Sequence, residues 1–116
     1  MVPSYYNCGN RFVNVIQTRI RHNCSSLKSD LFRVNICDSP CCDCGQPVED
    51  AYHYFFVCNR YAIHRQNLIL NILDLHNFIV IDTRLLLWGD QNLPEDINIR
   101  LFKLVHVFIK ETKRFS

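Results

Sequence analysis

One stretch, SPCCDCGQPVEDAYHYFFVC at 39–58, holds four of the chain's seven cysteines together with a histidine. Such a cluster constrains the fold more than any apolar stripe does, because its side chains must be joined as disulfides, gathered on a metal, or used as reactive groups. A disulfide framework fits poorly, since an odd number of cysteines leaves one unpaired. The opening MVPSYYNCGN carries neither a basic n-region nor an apolar h-region, so no secretory signal is expected. The expected location is intracellular, in the cytoplasm or nucleus, where a reducing environment keeps thiols free or metal-bound.

A structural zinc site takes four nitrogen or sulfur donors in a tetrahedron, commonly two from a tight turn and two from a following helix. Cys41 and Cys44, or Cys42 and Cys44, supply the turn pair. Gly45 follows directly, where positive φ and close amide approach are useful. His53 and Cys58 supply the second pair. Zn²⁺ is therefore the expected cofactor. With no coordination position left open to water, its role reads as structural. A two-residue spacer is the commoner knuckle geometry, so spacing alone favours Cys41 over Cys42. Cys8, Cys24 and Cys37 are expected to be free and buried, with Cys37 near enough to substitute as a ligand. No oxyanion loop or orienting carboxylate accompanies the Cys/His pairs, so no enzyme is expected.

A chain of 116 residues suits one domain, and 48% apolar with 21% charged residues marks it as globular. The longest unbroken apolar runs, 78–81 and 85–88, are far short of a membrane span. Charge is unevenly placed. Residues 1–36 carry five basic side chains against Asp30, a balance of +4, while 37–58 carry four acidic side chains and no Lys or Arg, −4. The domain thus divides into a basic helical region (1–36), a zinc knuckle (37–61) and a second helical region (62–116).

Phe12, Val13, Ile16 and Ile20 at helical spacing predict a helix from Asn10 to about Asn23. A short second helix after Ser25-Ser26 would bury Leu27, Leu31, Phe32 and Val34, ending before Pro40. Glu49-Asp50 places acid at the start of a third, where the helix dipole favours it. This helix continues through Tyr61, His64, Leu68, Ile72 and Leu75, with a break near Cys58. NFIVI at 77–81 reads as a short strand. Asp82 caps one or two helical turns that Gly89 stops, and Pro94 opens a last helix with Ile97, Leu101, Leu104, Val105, Phe108 and Ile109 as its stripe. The fold class is mostly α, a small helical domain organised around a CCHC zinc knuckle with little or no β.

The run RHNCSSLKSDLFRVNICDSPCCDCGQPVEDAYHYFFVCNRYAIHRQNL resembles the zinc-binding domain that follows the polymerase in non-LTR retrotransposon reverse transcriptases. The elements of the resemblance are 24–27, the Ser-Pro-x-Cys-x-Cys-Gly string at 39–45, Glu49-Asp50, His53, Cys58 and Tyr61. LLLWG at 85–89 and IKETKRF at 109–115 resemble the carboxyl ends of invertebrate members. Aligned on Pro40 and Gly45, the resemblance implies the ligands Cys42, Cys44, His53 and Cys58, with Cys41 as the alternative to Cys42. It also implies binding of RNA or DNA during target-primed integration, beside the polymerase region of a retroelement protein. No polymerase Tyr/Phe-x-Asp-Asp signature occurs, so the chain is expected to be a detached or truncated piece without polymerase activity.

Independently of the resemblance, Arg11, Arg19, Arg21, Arg60 and Arg65 are candidate phosphate contacts. Tyr52 and Tyr54 are candidate stacking platforms for unpaired bases, worth ~1–3 kcal/mol per base, with Phe55 and Phe56 assigned to the core. The acidity of 37–58 makes the knuckle a poor phosphate magnet and moves the expected contacts to the flanking helices. The alternative is a structural zinc module for protein docking, with no nucleic-acid binding.

Overall fold

A computed structural model describes residues 3–116, so the first two residues of the stretch read for a signal lie outside it. Five α-helices follow in order, α1 Arg11–Arg21, α2 Lys28–Arg33, α3 Ala62–Leu75, α4 Thr83–Trp88 and α5 Glu95–Thr112. Among the described residues there is no strand. The residues expected to form one, 77–81, run as an irregular connector. Phe78 and Ile81 pack on the core while Ile79 is fully exposed. Among the described residues its one backbone bond outside the helices is local, from the Phe78 amide to the His76 carbonyl, so β-propensity finds no partner strand.

Helix α5 is the axis of the domain, with α3, α1 and α4 laid against it. Its stripe of Leu101, Val105, Phe108 and Ile109 is buried as expected, and Phe102 and His106 join it. Val13, Ile16 and Ile20 of α1 face the same core. Phe12 remains about half exposed, because it lies one position outside that stripe. Helix α1 starts at Asn10, whose side chain accepts from the Val13 amide at 3.1 Å, the N-cap bond that satisfies an otherwise orphaned donor. Asp82 caps α4 in the same way through the Leu85 amide at 2.9 Å, and Gly89 ends it at φ 70°, as their positions predict.

Helix α2 departs from its expected packing. Leu27 is buried, but Phe32 and Val34 are exposed. The helix is short because Asn35 turns into the left-handed region, and it is held by polar contacts instead. Asp30 accepts from the Ser25 amide and hydroxyl, and the Ser25 hydroxyl accepts from the Leu27 amide.

Two buried side chains bind α4 to α1. Gln17 donates to the Leu86 carbonyl at 2.9 Å and Arg21 to the Leu87 carbonyl at 2.6 Å. Gln17 also meets His106 Nε2 at 2.7 Å, so one amide side chain joins three helices. Arg21 lies against aromatic faces, 4.0 Å from the Tyr6 ring centroid and 5.5 Å from that of Trp88.

Candidate metal centre

The knuckle is built from a tight turn and a widened helical turn. In the first, the Gly45 amide donates to the Cys42 carbonyl and the Cys42 amide to the Gln46 carbonyl, with Gly45 at φ 100°. That turn folds the Cys42 and Cys44 side chains to one side. Asp50 then caps the helical segment through the His53 amide at 2.8 Å.

His53–Val57 forms a π-helical turn closed by the Cys58 amide on the His53 carbonyl at 2.7 Å. Side chains five apart on an α-helix point about 140° away from each other, given 3.6 residues per turn. A ring closed between residues i and i+5 returns the chain to the same side, so His53 and Cys58 converge. A 3-10 turn at Asn59–Tyr61 then leads into α3.

The donor atoms of Cys42, Cys44, His53 and Cys58 all lie within 4.8 Å of one another. Cys42 and Cys58 are 3.8 Å apart at sulfur, and Cys44 Sγ is 3.3 Å from His53 Nε2. A tetrahedron with metal–sulfur bonds of about 2.3 Å places its sulfurs about 3.8 Å apart, so this donor set fits a metal ion. It does not fit a disulfide, whose sulfurs lie about 2.05 Å apart, and all seven cysteines are free. Cys42, His53 and Cys58 are buried and Cys44 is half-buried. Cys41 is exposed and its thiol lies outside the cluster. Cys37 is outside it too, its thiol directed at the Ser39 carbonyl at 3.1 Å. Cys24 is exposed and Cys8 half-buried, so the three remaining thiols are free but not buried as expected.

Arg60 covers the buried sulfurs. It donates from Nη2 to Cys42 Sγ at 3.0 Å and from Nε to Cys58 Sγ at 3.3 Å. The same Nη2 reaches Glu49 Oε2 at 3.0 Å. Glu49 is buried and accepts from Arg114 on both oxygens, at 2.7 and 2.8 Å, and from the Lys28 amide at 2.9 Å. Burial alone would raise its carboxyl pKa, but the bonds from Arg114 and Lys28 and the charge of Arg60 bring it below the ordinary value. Burial pushes the Cys42 thiol up to about 11. Burial also opposes ionisation of Cys58, yet bonds from the Arg60 side chain and backbone amide, together with those from Cys42 and Cys44, bring its pKa below the ordinary value.

Several nucleic-acid candidates are placed where they serve the fold. Tyr54 is 0% exposed, its ring against Phe55, Tyr61, Phe108 and Phe115 and its hydroxyl 2.7 Å from Thr112, so it offers no face for stacking. Arg21 is buried against α4. Arg65 donates to the carbonyls of Phe55 and Cys58, closing the widened turn. Arg60 lies on the sulfurs. Arg11, Arg19 and Tyr52 are exposed, Tyr52 at 61%. Arg11 and Arg19 flank a shallow groove of about 480 Å³ along α1 with Asn7, Asn14, Val15 and Thr18. The larger cleft, about 1150 Å³, is lined by Tyr6, Arg21, Phe78 and Trp88 among others and by none of the four clustered donors.

No protein-family model, curated protein or solved structure matches this chain. What is known of the centre therefore rests on its own geometry. Four protein donors saturate a tetrahedral ion, neither of the two clefts described above is lined by any of them, and the buried sulfurs are covered by a guanidinium. Such an arrangement ties a turn to a helix. Sequence reasoning misses Glu49, Arg60 and Arg114 as members of this centre. For Arg60 the available signal is its place two residues beyond a candidate ligand. For Arg114 there is none, since it is far away in sequence. No described helix is long and apolar enough to cross a membrane.

Proposed function

We propose that this chain is a zinc-stabilised helical domain that binds RNA or DNA through the exposed side of α1. Its kind is the domain that follows the polymerase in non-LTR retrotransposon reverse transcriptases, and it has no polymerase activity of its own. The observation that carries the reading is the convergence of Cys42, Cys44, His53 and Cys58 within 4.8 Å. That donor set is the one the resemblance implies, and a mixed set of three sulfurs and one nitrogen suits Zn²⁺. The metal's role is to hold the 42–46 turn against the π turn, since ligand binding free energy becomes folding free energy where the site is absent in the unfolded chain.

Nucleic-acid binding is supported by Arg11 and Arg19. Neither forms an ion pair among the described residues, and both border the α1 groove. Exposed Tyr52 offers the one tyrosine face of the expected pair. Native mass spectrometry tests the metal half. One zinc per chain, kept in Cys41→Ser and lost in Cys42→Ser, is expected, and metal-free wild-type protein under reducing, zinc-replete conditions refutes it.

Fluorescence anisotropy with single-stranded RNA and DNA across a salt series tests the other half. Each of Arg11→Gln and Arg19→Gln should reduce the magnitude of the slope of log K against log salt by about 0.7. Binding without salt dependence overturns it. A second reading, a zinc module for protein docking, draws on the apolar side chains that α3 exposes, Ile63, Leu70 and Leu73. It predicts no binding in the same anisotropy series.

A further inference from the structure

We propose that Arg60 is the charge-compensating residue of the metal centre, a fixed guanidinium that makes the three-thiolate site electroneutral and protects its sulfurs from attack. The inference rests on the metal reading above and adds a role for a residue that supplies no ligand. A divalent ion held by three thiolates and a neutral imidazole carries a net charge of −1. The sulfurs of Cys42 and Cys58 are buried, where an uncompensated negative charge is costly. Arg60 supplies the missing +1 at bonding distance. Its Nη2 is 3.0 Å from Cys42 Sγ and its Nε 3.3 Å from Cys58 Sγ, so one planar fork spans both sulfurs.

The position of that fork is itself determined. Glu49 Oε2 accepts from Arg60 Nη2 at 3.0 Å, and Glu49 is in turn gripped by Arg114 through both carboxylate oxygens. Arg60 Nη1 also lies 3.8 Å from Asp43 Oδ2, a side chain 72% exposed and therefore screened by water. Along the rest of the network the charges of centre, Arg60, Glu49 and Arg114 alternate, −1, +1, −1, +1, and sum to zero. A lysine ammonium at position 60 could reach one sulfur but could not span two and hold Glu49 with a planar fork. Outer partners that orient and neutralise metal ligands are typically worth 10–100-fold in metal affinity.

Sulfur lone pairs engaged by N–H donors are also poorer nucleophiles. The guanidinium should therefore slow alkylation and oxidation of Cys42 and Cys58, and so slow metal loss under electrophilic stress.

The test uses the 116-residue chain with Arg60→Lys and Arg60→Gln, measured in three ways. Competition with a chromophoric chelator gives zinc affinity, Co²⁺ substitution gives the sulfur-to-cobalt charge-transfer band, and iodoacetamide gives the rate of thiol modification in the zinc-loaded state. Arg60→Gln should bind zinc 10–100-fold more weakly. Its cobalt band should move to longer wavelength as the sulfur lone pairs rise in energy, and its thiols should react faster. Arg60→Lys should fall between the two in all three readouts. A merely structural arginine would leave the band position unchanged in whatever fraction of the variant folds. An unshifted cobalt band with wild-type affinity and reactivity in Arg60→Gln overturns the proposal while leaving the metal reading intact. Failure of the wild-type chain to bind zinc or cobalt overturns both.

Discussion

Replacing Glu49 with glutamine keeps the shape of the side chain and removes its charge, which isolates the electrostatic work of the network. The wild-type carboxylate accepts one bond from the Lys28 amide, two from Arg114 and one from Arg60, all between 2.7 and 3.0 Å. Glutamine offers one acceptor oxygen, and its amide hydrogens would face guanidinium hydrogens. Removing one partner of a fully buried ion pair costs about 3–5 kcal/mol, whereas a surface pair contributes about 0–1 kcal/mol. The Glu49 side chain is 2% exposed, but those of Arg114 and Arg60 are 17% and 30% exposed, so water recovers some of the loss. The expected cost is therefore about 2–3 kcal/mol, between the two limits.

Urea unfolding followed by circular dichroism at fixed excess zinc measures it, with the slope m unchanged if only stability is affected. The same loss should lower the melting temperature by roughly 8–12 °C, at about 4 °C per kcal/mol for a chain of this size. A double-mutant cycle with Arg114→Gln sharpens the test. Once Glu49 is neutral, removing the arginine charge should cost about 1–2 kcal/mol less than it does alone, within the range seen for residues in one network. A Glu49→Gln cost below about 1 kcal/mol, together with additivity in the cycle, would show a solvated network and refute the reasoning.

Burial and the nearby Arg21 lower the pKa of His106 to about 4, with Nε2 on Gln17 and Nδ1 without a partner. The unfolded chain then takes up the proton first, so stability should fall as pH drops from about 6.5 toward 4, by about 3 kcal/mol from this group. The difference in unfolding free energy between wild type and His106→Gln, measured across that window, isolates it from other groups, and a constant difference would contradict it. Truncating the fully buried Phe55 to alanine should cost about 3–5 kcal/mol in urea unfolding, because its aromatic neighbours cannot collapse onto the gap.

The longer helices are legible wherever an uninterrupted 3.6-residue stripe meets one core, as in α1 and α5. The Asn10 and Asp82 sides of the domain show how far local chemistry reaches. Asp82 is readable as a cap because its partner lies three residues away. Tyr54 reads wrongly because the π turn at His53–Val57 alters the helical phase, and nothing in the local pattern announces an inserted backbone position. Phe55 and Phe56 keep the core places expected of them, Phe55 fully buried and Phe56 half-buried against the core cluster. Arg21, Arg60 and Arg65 read as free cations in sequence. Their partners are carbonyls and sulfurs exposed by helix ends and turns, which no residue-type pattern encodes. The register at Cys42 is different again. Spacing favours Cys41, but the backbone bonds between 42, 45 and 46 place Cys42 on the inner side of the turn.

Helix α4 has six residues, far below the length at which an isolated helix holds together in water. It persists because Gln17 and Arg21 occupy its last carbonyls across sequence separations of 69 and 66 residues, while Leu85, Leu86 and Leu87 are buried beneath it. Such a piece has no partially formed state of its own. Its amides at Leu86 and Gly89 should exchange with deuterium only when the whole domain opens, as slowly as those at the centre of α5. One of the two shortest helices of the fold would thus report global opening.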